Sequence, residues 1–216
     1  MLPGDDDRRG VPLKQTAYDY MKRKIVDGKW AGGRFLSERE LQEELGMSKT
    51  PIRSALDKLE ANGLITLHPK QGAVVAELPL RKIFEIYELR KALETYAARE
   101  LTGRMDAKFF RDLDANLELQ QLAAAREDIT EYVRLDRSFH ARIVAGLGNE
   151  AYDETMERIQ DRFIMSLRTT FYRETSRLVS SLEEHRRIRD ALAGADAAAA
   201  ARLVEQHLDY VMQIMA

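Results

Sequence analysis

The chain has 216 residues, 44% of them hydrophobic, with 34 Lys and Arg against 36 Asp and Glu and no cysteine. This predicts a globular protein of one or two domains and excludes a disulfide framework, a thiolate metal site and a cysteine nucleophile. No apolar run approaches the ~20 residues that a membrane helix needs, and the opening MLPGDDDRRG lacks the apolar core of a secretion signal, so a cytoplasmic protein without membrane contact is expected.

Residues 1–12 read as a disordered tail. The charge is uneven beyond it: residues 8–76 hold 13 Lys and Arg against 8 Asp and Glu, whereas residues 77–216 hold 21 against 25. A modestly basic front suits a polyanion partner. Leu13 to Val26 reads as a helix ended by Asp27 and Gly28. A second helix starts at the capping box Ser37-Glu38-Arg39-Glu40 and buries Leu41 and Leu45. Gly46-Met47 makes a tight turn, Ser48 is placed to cap a third helix, and Pro51 falls in its first turn. Gly63 ends that helix. Leu64 to Leu67 and Ala73 to Val75 then read as strands of a hairpin around His68 to Gly72.

In the third helix Ile52, Ala55, Leu56 and Leu59 define one buried face. The opposite face carries Lys49, Thr50 and Arg53 near the N-terminus, where cations, hydroxyls and free N–H groups meet phosphates and base edges. Hairpin residues Lys70 and Gln71 add to this surface, and His68 is expected either in solvent or near DNA. The run from Leu36 through Gly46-Met47-Ser48-Lys49-Thr50-Pro51-Ile52-Arg53 to Leu59-Glu60-Ala61-Asn62-Gly63-Leu64-Ile65 resembles the winged helix-turn-helix of GntR-family transcription regulators, over residues 13–77. The resemblance implies operator contacts by Arg39, Ser48, Lys49, Thr50 and Arg53, with a wing around Lys70, Gln71 and Gly72. The chain departs from the family's usual pattern at three places. Lys49 stands for Arg, Gly32-Gly33 for Pro-Gly and Ser54 for Glu, and Lys49 offers a point charge rather than a planar fork.

The remainder reads as helices broken near Gly103, Ala125 to Asp128, Gly146 to Gly148, Tyr172 to Ser176 and Gly194, which predicts an all-helical antiparallel bundle. The alanine-rich stretch Ala195 to Ala201 starts the last helix. Three apolar stripes are interrupted. Asp136 and His140, spaced i, i+4, sit at the centre of the face formed by Ile129, Tyr132, Val133, Ile143, Val144 and Leu147. His185 falls among Leu178, Leu182 and Leu192, and His207 among Leu203, Val204, Val211 and Ile214. One such histidine is ordinarily a hydrogen-bonded core residue. Four converging polar groups are costly to desolvate, and a divalent cation offsets that cost, so one carboxylate and three imidazoles suit zinc, nickel, iron or manganese.

Ile86 to Glu94, Leu135 to His140, Gly148-Asn149, Glu183-Glu184-His185 and Gln206-His207 are similar to the FCD effector domain of FadR-like GntR regulators, over residues 79–214. The resemblance implies that Asp136, His140, His185 and His207 are metal ligands, zinc first among them, and that the domain senses a small carboxylate. Arg90 interrupts the apolar face of Ile83, Ile86, Tyr87, Ala97 and Leu101, so its partner is an anion: an effector, or Glu94 one turn on. Asn149 is a second effector candidate or a helix cap. The expectation is a homodimeric DNA-binding regulator, a repressor by family habit, that answers to an organic acid. The competing readings are a metal-dependent hydrolase or lyase with an accessory DNA-binding domain, which lacks an evident general base, and a structural DNA-bridging protein, which needs no buried polar pocket.

Overall fold

The computed structural model describes residues 12–68, 71–77, 79–159 and 176–215. The tail before Pro12, Lys70, the helix break expected near Tyr172 and the side chain of Ile214 lie outside the described residues. Contacts divide the chain into two compact units, Met1–Glu77 and Leu78–Ala216.

The first unit runs α1 (Leu13–Val26), β1 (Phe35–Leu36), α2 (Glu38–Leu45), α3 (Lys49–Ala61), β2 (Ile65–His68) and β3 (Gly72–Val75). At the start of α2 the Ser37 hydroxyl accepts the Glu40 N–H, and the Glu40 carboxylate accepts the Ser37 N–H, completing the expected capping box. Ser48 stands at the cap position of α3 but its side chain makes no capping bond, so the first-turn N–H groups of α3 have no side-chain cap. The other end of α3 is closed fully. Gly63 takes φ +67°, its N–H bonds Glu60 O at 2.7 Å, and the Leu64 N–H bonds Leu59 O at 3.0 Å. Ile52, Ala55, Leu56 and Leu59 are all buried, where α3 packs on α1, α2 and β2. Each of the larger three contributes roughly 1.5–3 kcal/mol by leaving water.

The expected hairpin is present, and a third strand that the sequence did not signal joins it. The sheet has the order β1-β3-β2, all antiparallel, with Leu36 opposite Ala73 on one side of β3 and Leu67 opposite Ala73 on the other. Two residues of β1 are too few to show alternation. Gly72 is where this sheet closes: its φ is +141°, and a Cβ there would stand 2.5 Å from Leu36 O and 2.9 Å from the Phe35 ring. Only glycine fits that approach.

The second unit runs α4 (Leu80–Leu101), α5 (Ala107–Ala125), α6 (Ile129–Ala145), α7 over 150–159, α8 (Ser176–Ala193) and α9 (Ala197–Met215). Asp106 and Asp128 cap α5 and α6 through side-chain bonds to the N–H groups of Phe109 and Glu131. The alanine run opens α9, with Ala200 and Ala201 buried. α4 packs against α6 and α9, α5 against α6 and α8, and α8 against α9, so five helices enclose one core. Among the described residues no helix is long and apolar enough to cross a membrane.

The Gly72→Ala variant should lose about 1–3 kcal/mol of stability in the first unit, because the added methyl collides with backbone and the φ is disfavoured for any side chain. Urea unfolding followed by Trp30, the chain's one tryptophan and buried in this unit, checks it; an unchanged midpoint would contradict this account of the wing.

Candidate functional site

In the first unit, α3 projects Lys49, Thr50 and Arg53 into solvent, with Ser48 exposed just ahead of them and Arg39 exposed on α2. The opposite face is the buried one, so these cations cost the fold little. Lys49 and Arg53 are each more than half exposed, yet both lean on one acid: Arg53 Nε donates to Glu38 Oε1 at 2.9 Å, and Lys49 Nζ lies 3.4 Å from Glu38 Oε2. Burial alone would raise the Glu38 pKa, but the Arg53 bond and the two positive charges hold it below the usual value. Glu38 went unremarked as a site residue in the sequence because its capping-box position explained it. Gln71 is exposed and Gly72 half-buried at the wing, and His68 is exposed. Lys70 lies outside the described residues.

The second unit brings together the four groups that interrupted its stripes. Asp136, His140, His185 and His207 are all buried, and one ligand atom from each lies within 4.8 Å of those from the others. His185 Nε2 stands 3.4 Å from His207 Nε2 and 3.5 Å from Asp136 Oδ1. Donors on metal bonds of ~2.1 Å at tetrahedral angles stand about 3.4 Å apart.

Outer partners set which nitrogen of each ring faces the centre. His140 Nδ1 is 2.6 Å from Glu94 Oε2, His207 Nδ1 is 2.6 Å from Glu184 Oε2, and His185 Nδ1 is 2.8 Å from Gln120 Oε1. A carboxylate only accepts, so each Nδ1 bonded to one carries the proton and its Nε2 keeps a lone pair. The Gln120 amide is oriented by a chain of bonds: its Nε2 donates to Asn116 Oδ1 at 2.7 Å, and Asn116 Nδ2 donates to Leu135 O at 3.1 Å. Its oxygen therefore faces His185. Two Nε2 lone pairs at 3.4 Å have no proton between them, and His140 Nε2 is buried with no hydrogen-bond partner among the described residues. Such a donor set fits a divalent cation, and this buried group could bind one.

Two guanidiniums support the carboxylates. Arg90 is buried and its Nε donates to Glu94 Oε1 at 2.7 Å, the ion pair that the i, i+4 spacing raised as an alternative to an effector contact. Arg177, also buried, donates to both Glu184 oxygens at 2.7 and 2.6 Å. Burial would raise both glutamates, but Arg90 and His140 bring Glu94 down to about 2, and His207 and Arg177 bring Glu184 down to about 2. Burial lowers His185, and it lowers His207 against the opposing pull of the Glu184 hydrogen bond. Asn149 is exposed, and its side chain accepts the Ala151 N–H at the start of α7, so it stands outside the buried group.

Sequence reasoning missed Gln120, Arg177, Glu184 and the orienting role of Glu94. Gln120 had a signal, since it follows Leu113 and Leu117 on one stripe of α5. Glu184 had none beyond its neighbour His185.

In the metal-free chain these shifts fix the sign of the pH dependence. Neutral buried imidazoles make the folded state bind fewer protons than the unfolded state once pH falls below about 6.5, so stability declines from there. Glu94 and Glu184 contribute stability that is fully present above about 4.5 and is lost as pH falls toward about 2. Chelator-treated protein should therefore show a helical unfolding midpoint that drops through the histidine range and then more steeply; a flat profile through the histidine range would contradict the neutral, buried rings.

The FCD domain pattern matches residues 85–210, and that of the bacterial regulatory proteins of the gntR family matches residues 13–75. The chain is 27% identical over 202 residues to the HTH-type transcriptional repressor RspR of Escherichia coli strain K12, covering 94% of this chain and 88% of that protein. It is 28% identical over 201 residues to the gluconate operon transcriptional repressor of Bacillus subtilis strain 168, covering 91% and 82%. The solved structure of E. coli McbR/YncC superposes with a TM-score of 0.84 over 95% of this chain and 97% of its own at 24% identity, a likeness of fold. The chain thus belongs to the GntR family of bacterial regulatory proteins, and is a DNA-binding transcriptional regulator with an FCD domain rather than an enzyme.

Proposed function

We propose that this regulator is a repressor whose operator binding answers to a small carboxylate held at a metal ion in the FCD domain. The observation that carries the reading is the shared orientation of three buried imidazoles, each with Nδ1 turned to an outer acceptor, around the Asp136 carboxylate. Asp136, His140, His185 and His207 would hold one divalent ion, zinc first by ligand type, with nickel, iron and manganese also accommodated. The ion supplies a Lewis-acidic seat for an anion. The chain's own residues hold it: Glu94, Gln120 and Glu184 aim the rings, while Arg90 and Arg177 hold the two carboxylates ionised. Arg90 acts here through Glu94 and His140. The names of two relatives, both repressors and one of a gluconate operon, support the direction of regulation and an acid effector.

DNA recognition falls to Arg39, Ser48, Lys49, Thr50 and Arg53, with the wing residues Lys70, Gln71 and Gly72 beside them. Binding DNA requires Lys49 and Arg53 to share or leave Glu38, and phosphate or a base edge replaces that acid. One recognition helix covers too little sequence for useful specificity, so two copies of the chain read a two-fold symmetric site.

Arg53→Ala should weaken specific operator binding by roughly 1–3 kcal/mol at fixed salt while leaving the FCD domain folded. Fluorescence anisotropy on operator DNA measures it, and unchanged affinity would remove Arg53 from the interface. Sedimentation of the full chain should give a dimer, alone and on operator; a monomer in both states would refute the paired reading.

The doubly substituted His185→Ala, His207→Ala chain should lose most bound metal and all response to acids while still binding operator. Elemental analysis of the purified protein is the direct readout. Full metal occupancy in that variant would show the rings to be core histidines.

A further inference from the structure

The acid that Lys49 and Arg53 share occupies a fixed place in the fold. Glu38 is the first residue of α2, where the Ser37 and Glu40 capping bonds set its backbone and the Gln42 side chain donates to its carbonyl at 3.1 Å. α2 packs on α3, each burying its apolar face, and Gly46 closes the turn between them at φ +62°. Lys49 and Arg53 stand one turn apart on α3 and share a face. The Glu38 carboxylate meets them from the neighbouring helix, with one oxygen toward each cation.

The atoms used decide what is left for DNA. Glu38 Oε1 accepts from Arg53 Nε at 2.9 Å. A carboxylate at Nε leaves Nη1 and Nη2, the pair that makes a bidentate contact with N7 and O6 of guanine. Arg53 is 57% exposed, so that outer edge opens to solvent. Arg39 has its Nε on Glu43 Oε1, also at 2.9 Å, but that pair runs along one helix with side chains 87% and 65% exposed, and it constrains its arginine less. Glu38 is 28% exposed and joins two helices. A guanidinium held at Nε before DNA arrives has less side-chain freedom to lose on meeting a base, and it presents its fork in one plane. The same carboxylate repels phosphates of every sequence alike, which lowers non-specific affinity.

We propose, resting on the assignment of Arg53 to the operator interface, that Glu38 is the positioning residue that makes Arg53 selective for guanine. Glu38 stays on Nε in the complex while Nη1 and Nη2 read the base, and Lys49 passes from Glu38 to a phosphate.

The test uses the full chain as wild type, Arg53→Ala, Glu38→Ala and Glu38→Gln. Bound duplexes are selected by the wild type from a library with a randomised core and sequenced. Fluorescence anisotropy at fixed salt then measures all four proteins on the selected duplex, on its single-base variants and on an unrelated duplex. The wild type should discriminate about tenfold or more in favour of guanine at a position where Arg53→Ala shows no preference. Glu38→Ala should cut that preference to about threefold or less, keep the preferences at other positions, and bind the unrelated duplex about twofold or more tighter. Glu38→Gln keeps an acceptor for Nε, so it should retain the guanine preference while showing the same gain on the unrelated duplex. Trp30 fluorescence checks that each variant is folded, and a loss confined to one base position is a readout that a fold defect does not produce. A Glu38→Ala chain that keeps the full guanine preference, or that relaxes every position equally, overturns this inference alone. So does a Glu38→Gln chain as indiscriminate as Glu38→Ala. An Arg53→Ala chain weakened on all duplexes with no position relaxed marks a phosphate contact and overturns the inference while Arg53 stays in the interface. Unchanged affinity in Arg53→Ala overturns the operator assignment itself, and the role of Glu38 falls with it.

Discussion

The helical unit depends on a constraint of imidazole chemistry. A neutral histidine in a dry core has one N–H to donate and one lone pair to satisfy, and the two point in opposite directions. His140, His185 and His207 each spend the N–H outward, on Glu94, Gln120 and Glu184, so the three lone pairs converge. Each orienting bond joins two helices or two turns of packed helices: α4 to α6, α5 to α8, and α8 to α9. The same bonds that aim the rings therefore hold the bundle in register, and site and core cannot be separated energetically.

The ion pairs behind the rings follow from the same desolvation problem. A carboxylate that accepts from a buried imidazole must stay ionised at a large solvation cost, and a guanidinium alongside offsets that cost. Arg90 with Glu94 and Arg177 with Glu184 are two solutions of this kind, one along α4 and one along α8. The stacking of Phe139 on His185, with ring centroids 4.5 Å apart, fills the remaining space and restricts the imidazole's tilt. Such packing helps to hold the four ligand atoms close together in the fold.

The winged helix-turn-helix unit has a different arrangement, since the cations at the start of α3 are exposed and yet held in place. Glu38, at the first position of α2, holds both Lys49 and Arg53, so the turn between α2 and α3 sets the spacing of the charges as well as of the helices. A surface pair of this type adds little stability. Its effect is on the orientation of the two cations.

Periodicity and caps in the sequence determined most of the architecture. The stripe Ile52, Ala55, Leu56 and Leu59, the Ser37 box and the Gly63 stop needed only neighbours along the chain, because helix geometry and cap bonds are local. The inward placement of Asp136, His140, His185 and His207 was legible for the same reason, each being read against the apolar residues of its own helix. Tertiary structure alone decided what each ring's second nitrogen touches. Glu184 is beside His185 in sequence but orients His207, and Gln120 reaches His185 from 65 residues away. The pairing of β1 with β3, and hence the need for glycine at position 72, also came only from the fold. Local sequence specifies which face of an element is buried; which buried group meets which depends on how separate elements pack, and no periodicity within one element encodes that.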